Sequence, residues 1–423
     1  MQPPGTTPAP QEYNSRPKTD WPSVLQFGLC LFAITILWLM AISLAVMGLT
    51  QYFSTGAPLE ETIAIFLMAA GIGFIGVLLI PSVFYPLQRL MGRHTPRVRA
   101  SHSNTLLLLL IASLPLLFGL GYWISTNNNL TLILLPIFHI LAIGLPILIL
   151  VILALRGLQL GSAQRTWGTF GSGTVLAPAI AFTLEAFALI ALVLFWAISI
   201  SFQPEIADEL LSLAEELQTT QPSPEVITSL LAPYLTSPAV LFSAFAFVAV
   251  IVALIEELAK PIGVWLLANR RLTPAEGFIA GVLCGAGFAL TESLVLSSST
   301  EAWSALVIVR IGTGVIHILT TALMGWALAI AWREGRYLRL GITYLSVVLL
   351  HALWNSLTLL TVFSSLSLSY PEVFEYGTLS RLGEFAPYAI GLLAIFSFIL
   401  LLGMNRYFRR TTGDAANLNP NIV

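Results

Sequence analysis

The sequence predicts an all-α, polytopic integral membrane protein of about ten transmembrane helices, with both termini in the cytoplasm. Three observations predict it. Hydrophobic residues make up 57% of the 423-residue chain and charged residues only 9%, against about 25% charged in soluble domains. Ten apolar stretches are each long enough to cross a bilayer, which takes about 20 residues. The loops between them alternate between arginine-bearing and nearly free of basic residues, which is the pattern of the positive-inside rule.

The spans are placed near 24–50, 62–86, 104–124, 130–155, 174–200, 238–267, 274–298, 303–332, 339–363 and 385–405. Loop 87–103 carries Arg89, Arg93, Arg97 and Arg99, and loop 156–173 carries Arg156 and Arg165. The turns after the sixth and eighth spans carry Arg270, Arg271, Arg333 and Arg336, with Arg339 at the edge, and the C-terminal tail carries Arg406, Arg409 and Arg410. The intervening loops hold only Arg381. An even number of spans with both ends inside satisfies this alternation.

The organisation that follows is a disordered Pro-rich cytoplasmic tail (1–22), an N-terminal five-span region (23–200), an extracytoplasmic acidic amphipathic loop (201–237), a four-span core carrying the chemistry (238–365), a last span (366–410) and a cytoplasmic tail (411–423). Loop 201–237 holds six acidic residues and no basic one. It reads as a short helix over the outer ends of the spans, or else as a lid. The apolar run after the first tail is too long for a cleavable signal peptide. Cys30 and Cys284 both lie in apolar segments and form no disulfide framework or thiolate metal site. No basic, aromatic-interleaved patch suggests nucleic acid. The partners expected are the lipid bilayer of the plasma membrane and a membrane protein substrate.

Function is carried by six ionisable side chains inside four consecutive apolar helices: Glu256, Glu257 and Lys260 in "VALIEELAKPIGVW", Glu292 in "GFALTESLVL", His317 in "GVIHILTTALMG" and His351 in "VLLHALWNSL". Each charge at a bilayer centre costs at least about 2.5–3.5 kcal/mol on insertion scales, so such groups face one another across a cavity and mark function. Residues four apart share a helix face. Glu256 with Lys260, His317 with Thr321, His351 with Asn355 and Phe288 with Glu292 therefore form a polar stripe on each helix. From the cytoplasmic ends, a rise of about 1.5 Å per residue puts Glu256 and His351 roughly 17 Å deep, His317 roughly 22 Å and Glu292 roughly 27 Å. Side chains of all four helices can meet in one layer, with carboxylates and imidazoles within roughly 4–8 Å of each other.

Such a layer supports hydrolysis. A glutamate in a low-dielectric site can act as a general base, and imidazoles can ligate zinc or donate to an oxyanion. Lys260, one of only two lysines in the chain, is the counter-charge for Glu256 or Glu257. Other groups have structural readings. Glu256 with Lys260 also fits a buried ion pair. His139 reads as a helix–helix hydrogen-bond partner. Glu185 either does the same or lines the cavity from the side, and Arg310 either snorkels outward or pairs with Glu292. Gly281, Gly285 and Gly287 permit close helix packing, and Pro136, Pro146 and Pro178 are kinks.

These motifs, in this order on successive spans, resemble those of the PrsW family of intramembrane proteases. "EELAK" matches its EExxK motif and "GFALTE" its FxxxE, while "HILTTALMG" and "HALWN" match its two later histidine motifs. The signature covers about residues 250–356. The resemblance implies a peptidase that cuts a membrane-associated protein, the family role being the first cut of a single-pass anti-sigma factor on its outer side. It also implies a metalloprotease. The distantly related type II CAAX prenyl endopeptidases imply a metal-free alternative, in which glutamate activates water and histidine and asparagine hold the oxyanion. Glu292 stands where those relatives carry histidine.

The site expected is therefore Glu256 as general base with Glu257 second to it. Lys260, Thr321 and Arg310 support them. His317, His351 and Glu292 are the ligands of a zinc ion, unless Glu256 or Glu257 supplies the third ligand. Without metal, His351 and Asn355 form the oxyanion site. The competing classes are a proton-coupled transporter or channel, in which Glu256, Glu292 and Arg310 relay protons, and a non-catalytic immunity or scaffold protein.

Overall fold

A computed structural model describes residues 20–418 except 56–58, 101–102, 221–222, 236, 296–301 and 370–376. Of the tail expected over 1–22, residues 1–19 lie outside the described residues, as do 419–423, while Trp21 and Pro22 already form the first turn of a helix. Among the described residues, ten helices are long and apolar enough to cross a membrane. They are Trp21–Ser54, Leu59–Leu90, Asn104–Ser125, Leu130–Leu155, Ala163–Ser201, Pro238–Trp265, Pro274–Val295, Trp303–Glu334, Tyr337–Ser365 and Arg381–Thr411, called spans one to ten below.

Local chemistry sets the ends. Span seven opens on a capping box: the Thr273 backbone N–H donates to Glu276 Oε2 at 2.9 Å, and the Glu276 N–H donates to Thr273 Oγ1 at 3.2 Å. Pro274 occupies the first helical position, where its missing N–H costs nothing. Span eight closes on Gly335 at φ 71°, whose N–H returns to the Ala331 carbonyl, a left-handed cap that glycine adopts freely.

Span five begins eleven residues before the expected 174. A short helix, Ala163–Gly171, leads through a π-helical turn, Ser172–Leu176, into Ala177–Ser201. The lead-in "AQRTWGTFG" is too polar and glycine-rich to register as a hydrophobic run. The last helix likewise runs on as Gly377–Leu418, past the apolar stretch at 385–405 and into the expected tail. Within 201–237 there are two helices, Pro204–Thr220 and Pro224–Leu235. No residue of the first is buried. Leu210, Leu213 and Leu217 on one face are half-buried, and the acidic residues stand outside.

The loops that follow even-numbered spans gather at one end. Arg97–Arg99 (β1) and Gln159–Ser162 (β2) pair antiparallel, with Arg97 opposite Ser162. Arg165 at the start of span five bonds Glu276 at the start of span seven at 2.8 Å. Asn405 in span ten donates to the Ala154 and Arg156 carbonyls where span four ends.

Span seven is the axis of the bundle and is buried along almost its whole length. Glycine makes this possible on two sides. A Cβ on Gly277, Gly281 or Gly285 would meet backbone oxygens of Gly325, Thr321 or His317 in span eight at 2.3–2.6 Å. One on Gly287 would meet the Phe170 carbonyl in span five at 2.6 Å. Without a hydrophobic drive between helices in lipid, such close approach supplies the packing attraction. Gly281→Val is expected to lower stability by at least about 1–3 kcal/mol, the usual cost of overpacking. Gly403→Val, with nothing within 4 Å of its Cβ, should be neutral. Thermal denaturation of the two variants in detergent checks this.

Candidate active site

Span six brings the acidic pair. Its helix passes through a π-helical turn, Ala246–Ile251, then runs Val252–Ala259 and breaks at Pro261, directly after Lys260. Such turns offset the register of a helix and recur at functional sites. Within the final turns Lys260 Nζ lies 2.9 Å from Glu256 Oε2 and 2.7 Å from Glu257 Oε1. The lysine thus serves both carboxylates, where the sequence left the choice open. All three side chains are buried, Glu257 and Lys260 completely.

Span nine closes on this pair. His351 Nδ1 is 2.9 Å from Glu257 Oε1, and its Nε2 faces Glu256 Oε2 at 3.8 Å. From span eight, Thr320 Oγ1 donates to Glu257 Oε1 at 3.1 Å. Glu257 is thus fixed by Lys260, His351 and Thr320. Asn355, one turn beyond His351, donates through Nδ2 to the Val248 carbonyl at 2.9 Å. It ties span nine to the irregular turn of span six.

Spans seven and eight carry the second half. Glu292 Oε2 accepts from His317 Nε2 at 2.6 Å and forms an ion pair with Arg310, whose Nη2 lies 2.8 Å away. Arg310 Nε also donates to Ser293 Oγ at 3.0 Å. Arg310 therefore pairs rather than snorkels. The two halves meet at the imidazoles, whose rings lie edge to face with centroids 5.2 Å apart. Phe288 packs edge-on to His317 and lies under Lys260 Nζ.

One donor atom each from Glu256, His317 and His351 falls within 4.8 Å of the other two. The surroundings fit a cation. Among the described residues, three buried or half-buried carboxylates, Glu256, Glu257 and Glu292, pair with two basic side chains, Lys260 and Arg310. A negative charge left uncompensated in a low-dielectric interior is costly. His317 Nδ1 is buried without a hydrogen-bond partner. Each imidazole has one nitrogen held by a carboxylate, His317 by Glu292 and His351 by Glu257, as metal-ligating histidines are. Two imidazoles and a carboxylate are a donor set suited to zinc.

A family model described as PrsW family intramembrane metalloprotease matches residues 161–374, about half of the chain and all four motifs. The chain belongs to the PrsW family. It is accordingly an intramembrane peptidase of a metal-using family, and the transporter and scaffold alternatives lose their ground. No curated protein and no solved structure gave a significant match.

All six ionisable residues singled out in the sequence converge, and the PrsW assignment covers each of them. Two details differ. The carboxylate grouped with both imidazoles is Glu256, whereas Glu292 is engaged by His317 and Arg310. Thr321 Oγ1 is buried without a hydrogen-bond partner among the described residues, while its neighbour Thr320 reaches Glu257. Four-residue spacing from His317 pointed to Thr321, but contact with Glu257 depends on the rotation of the whole helix. Ser293 and Tyr344, which donates to the Leu254 carbonyl at 2.9 Å, were not legible either, because hydroxyls in apolar helices are common. His139 accepts from Trp303 Nε1 at 3.3 Å, as a helix–helix partner should. Glu185 lies within electrostatic range of Glu256, Glu292 and Lys260.

Proposed function

We propose that this protein hydrolyses a peptide bond in a membrane-associated substrate at a zinc site formed by Glu256, His317 and His351. The grouping of these three donors, braced by carboxylates on both imidazoles, carries the proposal. A zinc ion there supplies Lewis acidity to the scissile carbonyl and to the attacking water. The protein's own groups do the rest. Glu257 holds the His351 Nδ1 proton and so presents Nε2 toward Glu256. Glu292 orients His317 through Oε2, and Arg310 fixes that carboxylate. The Glu292 side chain is 20% exposed, the most accessible of the three carboxylates. Its Oε1, not engaged by those contacts, is the oxygen placed to take the proton from water and return it to the leaving amine. The general base is then Glu292, with Glu256 serving as a ligand.

One observation favours a second reading. Lys260 Nζ lies between Glu256, Glu257 and His351, so an ammonium already compensates part of the charge a metal would. On that reading Glu256 remains the base, and His351 with Asn355 holds the oxyanion through the amide hydrogen not given to Val248.

The substrate segment reaches the site along an apolar groove of about 640 Å³ between spans five and six, lined among others by Leu189, Leu192, Trp196, Val240, Phe247 and Val248. Glu185 shares the face of Leu189, Leu192 and Trp196 by helical spacing, and its Oε1 is buried without a hydrogen-bond partner. It therefore stands at the catalytic end of the groove, where a substrate backbone N–H can bond it. A single-pass anti-sigma factor in the plasma membrane, the family role named above, is the substrate we assign. Comparative proteomics of membranes from cells with wild-type and Glu256→Gln protein should show one such protein accumulating uncut in the variant; identical membrane proteomes would remove the assignment.

Orientation follows the arginine loops. A cysteine introduced in loop 201–237 is expected to react with an impermeant reagent in intact cells, and one beside Arg97 is not. The reverse pattern would turn the protein over.

A further inference from the structure

The arginines at the end of spans four and ten do more than set topology. Leu402, Asn405, Arg406, Arg409 and Arg410 follow one another at helical spacing on one face of span ten, and with Leu153 and Arg156 of span four they line a cleft of about 540 Å³. The cleft is built rather than incidental. Asn405 is buried and donates to the Ala154 and Arg156 carbonyls at 2.8 and 3.0 Å, which locks the two helix ends together. Gly157, at φ 78°, turns the chain out of span four, and a Cβ there would meet Arg409 Nε at 2.7 Å. Arg156 is steadied by a hydrogen bond to Asn104.

The lining changes character along its length. Leu153 and Leu402 lie deeper in the spans, and four guanidiniums stand at the mouth, with no acidic residue among the lining side chains. Among the described residues, Arg406 and Arg410 make no ion pair. An amphiphile with a negative head and an apolar tail matches this gradient, because guanidinium binds phosphate oxygens bidentately and basic clefts between spans hold anionic headgroups. We propose that this cleft binds the phosphodiester headgroup of an anionic phospholipid, with the acyl chains lying along Leu153 and Leu402. The site is remote in sequence from the catalytic motifs and independent of the zinc assignment.

The test uses the full-length protein in nanodiscs of phosphatidylglycerol and phosphatidylcholine, released and read by native mass spectrometry. Wild-type protein is expected to keep phosphatidylglycerol adducts in preference to phosphatidylcholine. An Arg406→Gln, Arg410→Gln double variant should lose that preference by roughly thirtyfold, at about a kcal/mol per basic residue. An Arg333→Gln, Arg336→Gln control, on the arginine-bearing turn after span eight, should keep it. Equal retention of the two lipids, or equal loss in the control, would overturn the proposal. So would displacement of the lipid by inorganic phosphate that is itself retained, since the site would then be one for free phosphate. Unchanged thermal denaturation of the double variant separates lost binding from lost fold; both its arginines are exposed.

Discussion

Glu256→Gln and Glu292→Gln are both expected to abolish substrate cleavage, but only the first should empty the metal site. Glutamine is nearly isosteric with glutamate and cannot accept a proton. On the mechanism proposed above, at Glu292 it removes the base, and loss of positioned proton transfer costs about 10²–10⁴ in rate, while Glu256, His317 and His351 would remain to hold zinc. At Glu256 it removes the carboxylate that, among the described residues, is grouped with both imidazoles, so cleavage and zinc content should fall together. Zinc per chain measured on purified protein, beside cleavage of a reconstituted substrate, reads the difference. Glu256→Gln protein that keeps a full zinc complement but does not cut would return Glu256 to the role of base. Each variant weakens an ion pair, with Lys260 or with Arg310, so thermal denaturation must show that it still folds. Lys260 keeps Glu257 at 2.7 Å in the first case, which limits that damage.

The sequence disclosed the site better than the scaffold around it. Charges in an apolar helix are costly enough that each one announces itself, and four-residue spacing places its neighbours on a face. That is why Glu256, Glu257, Lys260, Glu292, His317 and His351 are all legible in the chain itself. Ten apolar runs and alternating arginines likewise yield the span count. What stays hidden depends on rotation and register between helices. How Glu256 and Glu292 lie relative to the imidazoles depends on how spans six, seven and eight are rotated against one another, and part of that is set by Gly281 and Gly285 seating span seven on the backbone of span eight. The choice of Thr320 over Thr321 turns on the same rotation. The lead-in to span five escapes a reading by hydropathy because a polar helix and a π-helical turn leave no such signal, though Gly173 there packs directly on Cys284 of the axial span. Glu185 is visible as a charge, but its nearness to Glu256 and Lys260 depends on span six lying beside span five.

Removal of metal is expected to abolish cleavage completely and reversibly. Zinc catalysis rests on about three protein ligands and an open position, and on the proposed reading Glu256, His317 and His351, whose donor atoms lie within 4.8 Å of one another, would supply the three. Purified protein should therefore contain close to one zinc per chain, lose activity to chelators and regain it when zinc is restored. A His317→Ala, His351→Ala double variant should contain almost none. Its loss should not be gradual, because either imidazole alone leaves at most two ligands. The double variant also frees Glu292 and Glu257 from their imidazole partners, so its stability will fall, and chelation of wild-type protein is the cleaner arm. If Lys260 is instead the cation of the site, the wild-type protein will carry no stoichiometric zinc and will cut after exhaustive chelation. Robust cleavage by such metal-free protein would decide for Glu256 activating water beside Lys260, with His351 and Asn355 holding the oxyanion.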